Sequence, residues 1–353
     1  VIKKKTRKAV SRQPSAADSL AKMLAKAFGD EVLWTYQTRQ NAMDIDVIPS
    51  GVLSLDYIVG IGGAPRGRIV QLYGPESGGK TTACYAYVRA VQKIGGIVVY
   101  VDTENSIDLS YMEQAGVDRK KLIIAQPDYG EQALTLIEQV IESKKADLVV
   151  LDSVAELVPL AELEGEMTDQ QIGLQARIVA KGIRKITPLM RGSKTIWLCT
   201  NQVRDKISMG RPIFGSPEST PGGRALKHAS SIMISVRRGK PIKVGSKEIG
   251  FQSNMRVTKN KVGVPFRQIG VPIIYGKGID PEMDWAMLAM RAKALRKRGG
   301  LIYFRRKVLG AGLLSAYAKV MKSVRLTEII QSKINAMFER WNEVGMEKED
   351  AQD

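Results

Sequence analysis

Glycines at 74, 78 and 79 stand ahead of a lysine and a threonine in the run Gly74-Pro75-Glu76-Ser77-Gly78-Gly79-Lys80-Thr81-Thr82. Glycine reaches positive φ without steric cost, so such a loop can turn successive backbone N–H groups toward one anion. A helix opening behind it would bring the positive end of its dipole to the same point. The order Gly, four residues, Gly, Lys, Thr is that of a phosphate-binding loop: Lys80 reaches the β- and γ-phosphate oxygens of a nucleoside triphosphate, and the Thr81 hydroxyl ligates Mg²⁺.

Three further polar residues end apolar runs. Asp152 follows Leu148-Val149-Val150-Leu151, the position from which a carboxylate polarises a water on the metal held by Thr81. It could instead cap a following helix. Glu104 follows the run from Ile97 to Val101; at the carboxyl end of a parallel strand it would face the ligand crevice and deprotonate an attacking water. Spacing alone leaves open a plain surface-loop glutamate. Gln202, in Thr200-Asn201-Gln202-Val203-Arg204, can touch a γ-phosphate while its backbone leads into a long loop, coupling nucleotide state to loop conformation.

Holding these residues at one edge requires a sheet. Arg68 to Tyr73 reads as a buried strand and Thr82 to Val88 as the start of a helix. Apolar, largely β-branched runs at 97–101, 148–151, 195–199 and 232–236 alternate with helical segments at 131–143 and 174–190. This is the pattern of an α/β fold with a mostly parallel twisted sheet flanked by helices. Residues 1–17 form a basic arm, expected to be disordered; 18–45 carry an amphipathic helix from Ser19 to Phe28, apolar at Leu20, Met23, Leu24 and Ala27, and a linker. The core is expected over 46–279. A small, basic α+β C-terminal domain follows over 280–342, with a basic helix, a strand at Gly299 to Phe304 and helices from Ser315 to Trp341, and then an acidic tail over 343–353.

Composition narrows the function classes. Among 353 residues, 54 Lys and Arg against 36 Asp and Glu give a net charge of +18, a surplus that favours polyanionic partners. From Arg291 to Thr327 eleven basic residues meet no acid. Two cysteines exclude a disulfide framework, and one histidine with no nucleophile-elbow serine argues against a Ser-His-Asp hydrolase. No apolar run approaches the roughly 18 to 20 residues of a membrane span, so a cytoplasmic protein without membrane partners is expected.

The string Gly74 to Thr82, Glu104 with Asp108 and Tyr111, Leu151-Asp152-Ser153-Val154-Ala155, Asn201-Gln202-Val203-Arg204, Gly222-Gly223-Arg224-Ala225-Leu226-Lys227 and Lys259-Asn260-Lys261-Val262-Gly263-Val264-Pro265-Phe266 together resemble the bacterial RecA recombinase family, in the same order from about Ser19 to Trp341. The resemblance implies a RecA-like P-loop core with ATP and Mg²⁺ as cofactors, Glu104 as the catalytic carboxylate, and Asp108, Tyr111 and Tyr275 around the adenine. Lys259 and Lys261 would reach the γ-phosphate of an adjoining protomer, so that hydrolysis requires a helical filament of the chain with itself.

Two DNA-binding loops are implied. One lies near Glu162 to Asp169, ahead of a helix bearing Arg177 and Arg184. The other runs from about Val203 to Arg224, with Arg204, Lys206 and Arg211 and the glycines Gly222 and Gly223; a long Gly-, Pro- and Ser-rich loop inside a compact domain is more often functional than not. Arg237, Arg238 and Arg256 would lie where the incoming duplex is received. Single-stranded and duplex DNA are thus the expected partners, gripped through phosphates and tested by base pairing. The resemblance also permits a self-cleaving repressor as a client of a filament acting as co-protease. A ring-shaped motor or helicase on the same core is the rival, though such motors normally supply an arginine finger where this chain carries two lysines.

The chain departs from the family pattern at Arg224, where asparagine is usual, and at His228-Ala229, where two aromatics are common. Its acidic tail is short, so deletion of 343–353 is expected to change duplex binding little.

Overall fold

A computed structural model describes residues 16–29, 45–166, 173–205 and 218–344. The chain divides into two units, 1–45 and 46–353. In the first, helix α1 (Ala16–Phe28) begins three residues ahead of the expected Ser19, taking in Ala16 and Ala17. The remainder of the basic arm, and most of the acidic tail, lie outside the described residues.

The second unit opens with β1 (Val47–Ile48) and β2 (Ala64–Pro65), an antiparallel pair bracketing α2 (Leu53–Val59). Alternation then sets in: β3 (Ile69–Tyr73), α3 (Lys80–Lys93), β4 (Val98–Asp102), α4 (Leu109–Gln114), β5 (Leu122–Ala125), α5 (Gly130–Ser143) and β6 (Leu148–Asp152). After α6 (Leu160–Glu164) and α7 (Leu174–Arg191), β7 (Ile196–Asn201) leads into a small ladder of β8 (Arg204–Asp205) with β9 (Glu218–Ser219), and α8 (Gly223–Ala229) returns the chain to the sheet. The remaining core strands are β10 (Ile232–Val244), β11 (Lys247–Asn260), β12 (Gln268–Ile274) and β13 (Gly278–Ile279).

Nine strands form one sheet in the order β13-β12-β11-β10-β3-β7-β6-β4-β5. From β10 to β5 every ladder is parallel; from β10 to β13 every ladder is antiparallel. The four apolar runs expected as strands all lie in the parallel part, where both faces are covered and a continuous apolar run is what the packing requires. Along β4, for example, Val98 and Tyr100 face one apolar cluster with Ala83, Tyr87 and Val91 of α3, while Val99 and Val101 face another with Ile137 and Ile141 of α5 and Ile178 of α7.

The antiparallel extension is a finding beyond the sequence expectation. Strand β11 alternates Ser253, Met255 and Val257 inward with Asn254 and Arg256 outward, the period of a half-solvated strand. A two-residue turn at Gly245-Ser246, with Gly245 at φ 62°, closes its hairpin with β10.

Beyond Asp280 come α9 (Pro281–Arg291), a three-stranded antiparallel sheet of β14 (Arg296–Arg298), β15 (Leu301–Phe304) and β16 (Lys307–Ala311), and helices α10 (Leu313–Met321) and α11 (Val324–Val344). The basic stretch expected as helix is partly strand: Lys293 takes φ 53° just after α9, and Arg296, Lys297 and Arg298 form an exposed edge. Ile302, Leu309, Ile330 and Ile334 belong to the same apolar cluster as the core sheet. Tyr57 of α2 stacks on Phe338 of α11 with centroids 3.8 Å apart. No helix among the described residues is long and apolar enough to cross a membrane.

Candidate active site and adjoining basic cleft

The phosphate-binding loop is pressed between strands. Gly74 donates its N–H to the Asn201 carbonyl of β7 at 3.3 Å, and a Cβ at Gly74 would lie 2.0 Å from the Val236 carbonyl oxygen of β10. A Cβ at Gly78 would lie 2.8 Å from that same oxygen. Gly78 is therefore required for close approach, and the positive φ expected of it is found at Ser77 instead, at 57°. Gly79, at φ 99°, caps α3, which starts at Lys80, two residues ahead of the expected Thr82. Ser253 of β11 donates to the Gly78 carbonyl at 2.6 Å, clamping the loop from the antiparallel side.

Lys80 Nζ donates to the carbonyls of Gly74 at 3.1 Å and Pro75 at 2.8 Å. Burial lowers its pKa, opposed by the charges of Asp152, Glu104 and Glu76. The Thr81 hydroxyl donates to Asp152 Oδ2 at 2.8 Å. Two buried hydroxyls complete the carboxylate's shell: Tyr100 donates to Oδ2 at 2.7 Å, and Thr200 donates to Oδ1. Asp152 thus faces the cleft, and the helix-cap alternative does not apply: the short turn after β6 is entered at Ser153 without a side-chain cap.

Glu104 leaves the end of β4, beside β6. Thr103 donates its hydroxyl to the Ser153 carbonyl at 2.8 Å, tying the two strand-end loops together. Desolvation raises the Glu104 pKa, countered by a hydrogen bond with Ser153 and reinforced by the charges of Asp152 and Glu156. Glu104, Lys80, Thr81, Asp152 and Gln202 line one cleft of about 540 Å³, so the surface-loop reading of Glu104 gives way to a place in the crevice.

Tyr111 and Tyr275 line the same cleft. Tyr111 OH and Thr82 Oγ1 share a hydrogen bond at 3.0 Å. Asp108 is not among the lining residues; its Oδ1 caps α4 by accepting from the N–H groups of Ser110 and Tyr111 at 2.9 and 3.0 Å. This bonding orients the helix carrying Tyr111.

The donor set fits ATP with Mg²⁺. Among the described residues no cluster of three or more Asp, Glu, His or Cys could cage a metal. One hydroxyl and one carboxylate beside a phosphate loop suit a cation that takes most of its ligands from phosphates and water, the habit of Mg²⁺.

A second cleft of about 820 Å³ is lined by Gly223, Arg224, Arg237, Arg238, Arg256 and Lys259, among others. Arg238 belongs to both clefts. Its guanidinium sits 4.3 Å from the Phe251 ring centroid and donates to Tyr275 OH at 2.5 Å and Glu248 Oε1 at 3.2 Å. The residue expected on the DNA surface thus borders the nucleotide cleft as well as the basic one. Arg256 lies 6.0 Å from the Phe266 ring.

Lys259 and Lys261 converge on the carboxyl end of α8. Lys259 donates to the carbonyls of Lys227 and His228, and Lys261 to that of His228 at 2.7 Å. Desolvation, with the charges of Lys261 and Lys227, pushes the Lys259 pKa down to about 8. Gly222, at φ 84°, caps α8, and Asn201 Nδ2 donates to the Pro221 carbonyl at 2.9 Å, so the long loop returns beside the strand it left.

Arg177 and Arg184 are exposed on α7 and line neither cleft. Gln175 Nε2 fixes the start of that helix by donating to the carbonyls of Val154 and Ala155 at 3.2 and 2.8 Å. Arg204 is exposed on β8. Lys206 and Arg211 lie outside the described residues, as does the end of the first expected loop. Sequence reasoning passed over Tyr100, Thr200, Glu248, Phe251 and Ser253; the first carried a signal, a hydroxyl between the valines of an apolar run.

Residues 15–280 match the family model of the RecA N-terminal domain. The chain is 44% identical to Protein RecA of Thermus aquaticus over 293 residues, covering 83% of this chain and 85% of that one. It is 41% identical to Protein RecA of Thermus thermophilus over 330 residues, 93% of this chain and 95% of the relative. With Protein RecA of a Thermotoga species the identity is 38% over 344 residues, 96% and 95% of the two chains.

Proposed function

The chain belongs to the RecA family, and on that premise we propose that it is an ATP-dependent recombinase. It polymerises on single-stranded DNA, hydrolyses ATP when DNA is bound, pairs the coated strand with homologous duplex and exchanges strands. One observation carries the reading. Three consecutive residues of β10 serve both clefts: the Val236 carbonyl packs on Gly74 and Gly78 of the phosphate loop, and Arg237 and Arg238 line the basic cleft. Nucleotide and polyanion would meet across a single strand.

The chain's own groups divide the work. Backbone amides of the loop and Lys80 hold the triphosphate, Lys80 exchanging its two carbonyl partners for phosphate oxygens. Thr81 would offer its oxygen lone pairs to Mg²⁺ while its hydroxyl keeps its proton and donates it in a hydrogen bond to Asp152 Oδ2. Bound Mg²⁺ supplies charge neutralisation on the β- and γ-phosphate oxygens. Glu104 takes the proton from the attacking water, a task that its raised pKa favours. Gln202 links the cleft to the loop after β7. Lys259 lines the basic cleft, and both lysines donate to carbonyls at the end of α8 rather than lining the nucleotide cleft of their own chain; the role we assign them is to reach the γ-phosphate of an adjoining protomer. A lone subunit then turns over slowly.

Electron microscopy with single-stranded DNA and a non-hydrolysable ATP analogue tests this reading. Helical filaments are expected. Closed hexamers would support the ring motor instead, and particles that stay monomeric with both ligands present would end both readings.

A further inference from the structure

The proposed mechanism uses Lys80, Thr81, Glu104 and Asp152 around the phosphate loop, yet leaves two buried hydroxyls beside Asp152 without a task. Tyr100 lies within β4 at 1% exposure and Thr200 within β7 at 0%. Neither is among the residues lining the nucleotide cleft. Both sit in fully buried strands, where a hydroxyl is costly unless it is hydrogen-bonded. Each gives its single proton to the same carboxylate, Tyr100 to Asp152 Oδ2 at 2.7 Å and Thr200 to Oδ1.

The topology explains how. β4 and β7 flank β6 on its two sides, so Asp152 at the end of β6 is gripped from both neighbouring strands. The Thr81 hydroxyl adds a third bond, from α3 to Oδ2 at 2.8 Å. With Oδ2 accepting two protons and Oδ1 one, the carboxylate plane is fixed, and the remaining acceptor capacity lies mainly on Oδ1. Fixing Oδ2 also fixes where Thr81 must aim its proton, which leaves the Thr81 lone pairs free for a cation.

We propose that Tyr100 and Thr200 are positioning residues for Mg²⁺, acting through Asp152 and, by way of Oδ2, through Thr81. The inference rests on the nucleotide reading above and deepens it. The ligands alone do not define this metal site, because an aspartate held by one threonine could still turn about its side-chain torsions; the flanking hydroxyls remove that freedom. Outer-shell partners of this kind typically contribute about 10- to 100-fold in metal affinity.

The test is a Mg²⁺ titration of fluorescent ATP-analogue binding to the full chain, with a parallel arm in chelator. The variants are Tyr100→Phe, Thr200→Val and Thr200→Ser. Tyr87→Phe is the control, since Tyr87 is equally buried, at 1% exposure, and its hydroxyl has no hydrogen-bond partner among the described residues. Tyr100→Phe and Thr200→Val are each expected to raise the Mg²⁺ midpoint by about 10-fold or more, with metal-free nucleotide affinity equal to wild type. Thr200→Ser, which keeps the donor, should restore the midpoint, and Tyr87→Phe should leave it unchanged.

Unchanged midpoints in Tyr100→Phe and Thr200→Val would overturn the inference. So would an equal loss with and without metal, which would assign the hydroxyls to the fold alone. A wild-type protein that binds nucleotide with no Mg²⁺ dependence would sink the metal reading itself, and this inference with it. Thr200→Val preserves shape, so it decides the matter even if Tyr100→Phe folds poorly.

Discussion

Glu104 and Asp152 are carboxylates at the ends of adjacent strands, yet their surroundings differ. Asp152 accepts three hydroxyl hydrogen bonds that fix its orientation. Glu104 stands in the cleft with its pKa raised, by desolvation first and then by the charges of Asp152 and Glu156, which suits it to the proposed role of proton acceptor. Replacing Glu104 with Gln keeps size and polarity while removing the base. DNA-dependent ATP turnover should fall by about 10²- to 10⁴-fold, with nucleotide and single-strand binding retained; phosphate release beside a filter-binding assay checks this, and near-wild-type turnover would remove Glu104 as the base. These two acids were legible in the sequence because each ends an apolar run. Their supports were less so: Ser253, which clamps the phosphate loop from β11, is distant in sequence and ordinary in type. Asp108 shows the converse, a motif residue whose carboxylate is engaged in capping a helix.

At the scale of elements, the parallel strands were legible because burial on both faces demands continuous apolar runs. Strands β11 and β14 were not, since one faces solvent on alternate residues and the other is the basic triplet Arg296-Lys297-Arg298. Also hidden was the acidic contact where α9 meets α2. Asp284, at 1% exposure, accepts from the Ser54 N–H at 3.0 Å, and Asp56 accepts from the Ser50 N–H at 2.8 Å. Desolvation pushes the Asp284 pKa up to about 6, against the hydrogen bonds from Ser54 and Leu53 and the charge of Arg291. It pushes Asp56 up to about 7, with the charge of Asp284 adding to the shift. Because both folded values exceed the ordinary carboxylate range near 4, the stability these groups contribute is complete below about pH 4. It is lost as pH climbs toward 7, where the unfolded chain ionises freely and the folded one does not. Between pH 4.5 and 7.5 the wild type should therefore lose on the order of 5 kcal/mol through this contact. Asp284→Asn should flatten that slope in urea unfolding; an unaltered slope would show that the pair ionises without penalty.

For the whole molecule the question is how a net charge of +18 becomes a binding surface rather than a diffuse field. Among the described residues, cations gather at the stripe with Arg177 and Arg184 on α7, in the cleft with Arg224, Arg237 and Arg256, and on the exposed edge of β14, among other places. α7 and β10 are both anchored to the nucleotide end of the sheet, α7 through Gln175 to the loop after β6 and β10 through Val236 to the phosphate loop. The β14 edge belongs to the C-terminal sheet. If the first two carry the reaction, their phosphate contacts should be separable by salt. For single strands the logarithm of affinity falls with log salt by roughly 0.7 for each phosphate neutralised. Arg177→Ala should weaken single-strand binding and flatten that slope by about 0.7, whereas Arg256→Ala should leave the slope alone and lower the yield of duplex captured by preformed filaments. Equal effects of the two variants on single-strand binding would mean that α7 and the basic cleft form one continuous track, and the separation of primary from incoming strand would then have to come from the neighbouring protomer.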